Sequence, residues 1–318
     1  MSREKFDDRR LVGNINVACK FQDGSIRYWQ TTKEEVVQHI VDILADYAED
    51  DYIITLRQLH YQFVKSNWII NHDTAYKKLG TILDDCRYAG IIDWNAIEDR
   101  GRKPYIPYSV RDPDHALQDT VDQYRLDRQL GQEVAIELWT EKDALSGILQ
   151  RTTEKYHIQL VVNKGYTSSS AIYRAYQRIL DNLGKRQFTT ILYFGDHDPS
   201  GLDMIRDINE RLTMMLEKGR YELNAADVFQ VLPIGLTMKQ IRQYKLPPNP
   251  TKMTDTRSGG YIKKYGKTCW EVDALDPRTL TDIVEAHIVA QIDVDLYEEM
   301  LAKEAADIKT LEAFINKK

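Results

Sequence analysis

Cysteine is scarce in this chain: three among 318 residues, Cys19, Cys86 and Cys269, far from one another. Neither the spacing of a zinc site nor the density of a disulfide scaffold is present. Inert thiols in a reducing cytoplasm are therefore expected. No run of about 18 apolar residues occurs, which excludes an expected membrane-spanning helix. The stretch Met1 to Arg10 is highly charged and lacks the apolar region of a secretory signal. Internal repeats, low-complexity tracts and a Gly-rich ATP-binding motif are missing too. So is an excess of positive charge: 43 Lys and Arg stand against 49 Asp and Glu, a net charge of −6. As an average, that argues mildly against a nucleic-acid protein. An average hides local patches, however, so the position of each charge matters more. What is present, 42% hydrophobic residues over this length, suffices for two or three packed domains.

Residues 1–31 are polar and irregular, with one short hairpin expected around Asp23-Gly24, and read as an N-terminal extension. Thr32 and Glu35 form a capping-box pattern ahead of the apolar periodicity Val36, Val37, Ile40, Val41, Leu44. A second helix is expected over Thr55 to Val64, and a third from Asp73 or Thr74 to near Gly90. A short strand, Ile91 to Trp94, and a basic turn, Arg100 to Pro104, follow. Three short helices, a strand and a basic turn fit a winged-helix DNA-binding module over residues 32–110. Its candidate phosphate contacts are Lys77, Lys78 and Arg87 on the third helix and Arg100, Arg102 and Lys103 in the wing. Pro104, Pro107 and Pro113 mark a boundary, and residues 111–131 read as a linker helix.

From Val134 strands alternate with helices up to about residue 240, which implies a mainly parallel sheet covered by helices. The fold class expected is thus α/β plus α+β, with 132–240 as the parallel β-α-β domain and 241–318 as a C-terminal, helical extension. In such sheets chemistry sits beyond the carboxyl ends of the strands. Two places there carry acids: Trp139-Thr140-Glu141-Lys142 and Phe194-Gly195-Asp196-His197-Asp198-Pro199-Ser200-Gly201. Asp196 and Asp198, two apart in an extended segment, project to one side. Hard oxygen donors arranged this way suit Mg²⁺, which binds few carboxylates and completes its shell with water and phosphate oxygens. The bland reading of an Asp-x-Asp is loop capping or a salt bridge.

Strand-Glu, a β-α-β spacer and then strand-Gly-Asp-x-Asp-Pro-x-Gly resembles a Toprim domain. Within that group the chain most resembles the A subunit of topoisomerase VI and its relative, the meiotic double-strand-break protein. The segment Lys164-Gly165-Tyr166 is similar to a glycine-tyrosine segment of that family. So is Arg57-Gln58-Leu59-His60-Tyr61, where Arg57 and Tyr61 match the family motif while Gln58 replaces an acid and His60 replaces a tyrosine. The resemblance covers residues 32 to 235. It implies Mg²⁺ held by Glu141, Asp196 and Asp198, with Tyr61 attacking a DNA phosphate to give a 5′-phosphotyrosyl link. It assigns charge stabilisation to Arg57 and proton relay to Glu141. It implies double-stranded DNA as partner, and a homodimer in which tyrosine and acids come from different subunits. An ATPase B-type subunit on a separate chain would be needed for strand passage, and a nucleoid-associated, cytoplasmic place follows. The alternatives are a hydrolytic Toprim nuclease, with Tyr61 structural and His60 a candidate base, and a non-catalytic DNA-binding accessory protein. A haloacid dehalogenase-type phosphatase fits less well, because its Asp-x-Asp follows the first strand.

Overall fold

The computed structural model describes residues 11, 13–20, 26–98, 107–251 and 255–316. The chain opens with an antiparallel hairpin, β1 (Asn14–Lys20) and β2 (Ile26–Thr32), whose turn lies outside the described residues. Three helices follow: α1 (Lys33–Ala48), α2 (Leu56–Lys65) and α3 (Asp73–Tyr88). Thr32 and Glu35 make the expected reciprocal capping box on α1. Thr55 and Gln58 make another on α2, so Gln58 is occupied in starting its own helix. The three helices close on Ile40, Ile54, Leu59, Phe63, Leu83 and Cys86, a core of their own. Burial pushes the Cys86 thiol up to about 11, as suits an inert thiol. The short strand expected at Ile91–Trp94 does not form. Asp93 instead caps a single 3₁₀ turn, Trp94–Ala96, and only Ile97 bridges back to Ile54.

Helix α4 (Pro113–Gln123) is shorter than the linker helix expected. Beyond it lies a four-stranded, all-parallel sheet in the order β4-β3-β5-β6: β3 (Val134–Thr140), β4 (Gln159–Val162), β5 (Phe188–Phe194) and β6 (Phe229–Gly235). Its crossover helices are α5 (Ser146–Tyr156), α6 (Ser169–Gly184) and α7 (Pro199–Glu217). The chain then continues through α8 (Met238–Gln243), a two-residue ladder of β7 (Asn249–Pro250) with β8 (Thr268–Cys269), α9 (Ser258–Tyr265), α10 (Pro277–Val289) and α11 (Val294–Ile315).

Period-two alternation splits the sheet between two cores. Ile136, Leu138, Leu192 and Phe194 pack with Leu149 of α5 and Leu280 and Val284 of α10. Trp139, Ile191 and Tyr193 pack with Ile172 and Ile179 of α6 and Ile208 of α7. The C-terminal α10 therefore covers one face of the sheet. Among the described residues no helix is long and apolar enough to cross a membrane.

The order of the strands matters most for function. From β3 the chain runs outward to β4, returns to the other side of β3 as β5, and continues to β6. The winding reverses between β3 and β5, so the crevice above their carboxyl ends is the topological switch point where open α/β sheets bind ligands.

One charge is buried inside the sheet. Glu137, 4% exposed, is held by Arg178 Nε and Nη2 at 2.7 and 2.8 Å and by Trp139 Nε1 at 2.8 Å. Arg178→Met would strand that carboxylate with one donor and should cost about 3–5 kcal/mol of unfolding free energy in a urea titration. A cost below about 1 kcal/mol would show that the Arg178 contact contributes no more than a solvated surface pair.

Candidate active site

Both acid motifs are placed by strand ends. β3 stops at Thr140 and Glu141 follows; β5 stops at Phe194 and the Gly195–Asp198 segment follows. Asp198 is the N-cap of α7: its Oδ1 accepts the Gly201 N–H at 2.7 Å, and Pro199 takes the first helical position. Gly201 is dictated by close approach, since a Cβ there would lie 2.3 Å from the Asp196 carbonyl oxygen. Glu141 Oε1 accepts the Asp196 N–H at 3.1 Å and so joins the two acid segments across the switch point.

A third segment completes the site, and the sequence reading gave it no function. His197 and Trp270 exchange backbone hydrogen bonds of 2.9 and 3.1 Å, and the Val272 N–H donates to Asp196 Oδ1 at 2.8 Å. This lays Glu271 and Asp273 beside Asp196. Lys142 Nζ stands among all three, 2.8 Å from Asp196 Oδ2, 2.9 Å from Asp273 Oδ2 and 3.5 Å from Glu271 Oε2. Burial alone would favour the neutral amine, but Asp273, Asp196 and Glu271 reverse that and hold Lys142 firmly charged. Arg57 reaches the same Glu271 carboxylate from α2.

These groups open onto a cleft of about 650 Å³, lined among others by Arg57, Tyr61, Lys142, Asp196, Asp198 and Glu271. Arg57/Tyr61 and Asp196/Asp198 therefore share one cleft within one chain. There α2 packs directly onto the Glu271–Asp273 segment, which is tied to the acid loop. Glu141 lies just behind, half-buried, and is linked to the cleft through Asp196.

Tyr61 is 2% exposed, its ring in the core with Ile136 and Leu145, and its hydroxyl accepts from Asn249 Nδ2 at 3.3 Å. Burial, reinforced by Glu271, pushes its pKa well above that of a free phenol. Glu141 and Asp196 are also pushed up, in both cases first by burial; Asp198 adds to Glu141, while Glu141 and Asp273 add to Asp196 against the pull of Lys142. Glu271 goes the other way: burial would raise it, but Lys142 and Arg57 outweigh burial and hold it ionised.

Five carboxylates (Asp73, Asp196, Asp198, Asp255, Glu271) line the cleft against the two permanent cations Arg57 and Lys142. That excess of negative charge and all-oxygen donor chemistry fit a divalent cation. The three expected acids are nonetheless not assembled as a ligand set. Among the described residues no three His, Cys, Asp or Glu side chains stand close enough to hold a metal together. Asp198 spends Oδ1 on its helix, and both Asp196 oxygens are engaged.

The expected DNA contacts separate into three kinds. Lys77 and Lys78 are exposed on α3. Arg87 is occupied within the chain, donating to the Trp94 and Ile97 carbonyls at 3.1 Å each and stacking on Trp94. Arg100, Arg102 and Lys103 lie outside the described residues. His60 is buried against Asn71, and burial lowers its pKa. Tyr166 donates to Asp203 at 2.7 Å under the Arg257 guanidinium, beside the start of α7.

Sequence reasoning missed Lys142, Asn249, Glu271 and Asp273. One signal was legible for two of them: Glu271-x-Asp273 repeats, after the short β8, the spacing of Asp196-x-Asp198. No protein-family model, curated protein or solved structure matches the chain.

In the free protein Tyr61 should titrate above the ~10 of free tyrosine, because burial and Glu271 both disfavour the phenolate. Carbon-13 NMR of Cζ-labelled tyrosine, assigned with Tyr61→Phe, reads this directly. Glu271→Gln should bring the midpoint down. A midpoint at or below ~10 in the parent protein would contradict this electrostatic picture.

Proposed function

We propose that the chain cleaves DNA phosphodiester bonds in the manner of the topoisomerase VI A subunit, with Tyr61 as nucleophile. One observation carries the proposal: Tyr61 and Arg57 of α2 open onto the same cleft as Lys142, Asp196 and Asp198, at the switch point of a parallel sheet. The four-stranded sheet with acids after β3 and β5 supports the Toprim reading of residues 132–240. The helices α1 to α3 support the winged-helix reading, with Lys77 and Lys78 facing DNA.

The chemistry follows from the side chains. The Tyr61 hydroxyl attacks the scissile phosphorus; an Oη–P bond forms and the P–O3′ bond breaks. Glu271, ionised beside Tyr61, takes the phenolic proton. Glu141, whose raised pKa lets it carry a proton, returns one to the leaving 3′ oxygen. Arg57 and Lys142 offset charge on the non-bridging oxygens. The resemblance assigns Mg²⁺ to Glu141, Asp196 and Asp198, where it would supply further neutralisation of the phosphate only once those acids rearranged around it, since they are not assembled as a ligand set here. A cleft this acidic needs such a cation before a phosphate can enter.

Two copies of the chain, related by a two-fold axis, would place one such centre on each strand of a duplex. Strand passage would then call on an ATPase partner, and the place of action would be the cytoplasm, on the nucleoid. A second reading rests on the burial of Tyr61 and its raised pKa: water attacks instead, and the chain is a hydrolytic Toprim nuclease.

Detergent quenching separates the two. Covalent attack should trap a DNA–protein adduct that survives heating and disappears with protease. Tyr61→Phe should abolish the adduct and cleavage while DNA binding persists. Normal cutting by Tyr61→Phe without an adduct establishes the hydrolytic reading. Reversing Lys77 and Lys78 to Glu should weaken binding to any DNA sequence and flatten its salt dependence by roughly one unit of slope per lost phosphate contact. Unchanged affinity at low salt would remove α3 from the DNA-binding surface.

A further inference from the structure

We propose that Asn249 is a positioning residue that clamps the Tyr61 hydroxyl to the Glu271 carboxylate, and that Asn71 sets the direction of that clamp. The inference rests on Tyr61 as nucleophile and Glu271 as its base, and concerns two residues to which that reading gives no role.

The side-chain amide of Asn249 lies between the two groups. Its Nδ2 is 3.3 Å from Tyr61 Oη and 3.4 Å from Glu271 Oε1. An amide nitrogen carries two protons, so this one group donates to nucleophile and base together. Arg57 takes the other Glu271 oxygen, Oε2, which leaves Oε1 to Asn249. The fold brings the residues together through the β7–β8 ladder. Asn249 pairs there with Cys269, and Glu271 follows two residues later.

The direction of the amide is set from both ends. Asn71 Nδ2 donates to Asn249 Oδ1 at 2.5 Å, so the Asn249 oxygen is occupied and its NH₂ faces Tyr61. Asn71 Oδ1 in turn stands 3.4 Å from His60 Nε2. His60 Nδ1 is buried and makes no hydrogen bond, so the ring proton belongs on Nε2, the nitrogen that has an acceptor. The chain of donors thus runs one way, from His60 through Asn71 and Asn249 to Tyr61 and Glu271. The reverse order would set the Asn249 oxygen against Glu271, which Lys142 and Arg57 hold ionised. Two acceptors facing each other would then repel.

The clamp acts as the reaction begins. Burial and Glu271 both disfavour negative charge on the phenolic oxygen, while the Asn249 donor favours it. When the proton leaves for Glu271, charge grows on Tyr61 Oη, and a hydrogen bond to an ionised acceptor is roughly twice as strong as a neutral one. Because Asn249 holds both partners, the transfer does not wait on rotation of either side chain.

Three quantities test this: the single-turnover rate of DNA cleavage, DNA affinity, and the Tyr61 Cζ carbon-13 resonance in the DNA-free protein. Asn249→Leu, close to asparagine in shape, should slow cleavage about a hundredfold at unchanged DNA affinity and move the Cζ resonance. Asn71 donates to Asn249 and not to Tyr61 or Glu271, yet Asn71→Leu should produce both changes in the same sense. The double variant should go no further than Asn249→Leu alone, because the two residues act as one unit. A rate loss explained by weaker DNA binding overturns the proposal. So does an Asn71→Leu protein that matches the parent, or effects that add in the double variant. A readout in the unmutated protein guards against misfolding. The side-chain NH₂ groups of Asn71 and Asn249 should exchange with water several-fold more slowly than those of exposed asparagines, and exchange at the exposed rate overturns the clamp. A parent protein that cuts no DNA removes the proposed function, and the Cζ shifts and exchange rates then decide the clamp alone.

Discussion

The ion cluster around Lys142 is the constraint on which the rest of the site depends. It ties the end of β3 to the end of β5 through Asp196, both to the C-terminal segment through Glu271 and Asp273, and all of these to α2 through Arg57. Asp196 and Asp273 lost nearly all their water on folding and depend on Lys142 for compensation, whereas Arg57 stays 40% exposed. Taking Lys142 away from those two buried carboxylates typically costs about 3–5 kcal/mol, a large part of the stability of an ordinary domain. The helical N-terminal part and the sheet are thus held together by the same charges that line the cleft.

That arrangement explains why the titrating groups diverge. Glu271, between Lys142 and Arg57, is held ionised, while Asp196 and Glu141, deeper and close to each other, are pushed toward the protonated form. Neighbouring carboxylates separated in this way are the usual means of supplying a base and an acid at one pH. Tyr61 sits at the ionised end, against Glu271 and Asn249, where burial and the Glu271 charge hold its proton in place.

Much of the local architecture was legible. Thr32 and Glu35 mark the start of α1, because a cap is made with backbone groups two or three residues away. Gln58 drew attention only as a departure from a resemblance, whereas in the structure it caps its own helix. Ile91–Trp94 misled, since an apolar pair beside an Asp reads as a strand, while Asp93 caps a 3₁₀ turn and Arg87 stacks over it. Arg87 likewise read as a solvent-facing cation, and its occupation depends on carbonyls seven and ten residues further on.

The sequence by itself determined where strands end and acids begin, because periodicity and capping act over a few residues. It therefore placed Glu141, Asp196 and Asp198 at the carboxyl edge of a sheet. Only the tertiary structure decided what surrounds them. The strand order sets β3 beside β5, and the return of the chain beyond residue 240 brings Glu271 to Arg57, 214 residues away in sequence. Coulombic pairing is indifferent to sequence separation and responds to distance alone. For that reason Lys142, adjacent to Glu141 in the chain, has its partners in Asp196, Glu271 and Asp273, which the order of residues does not reveal.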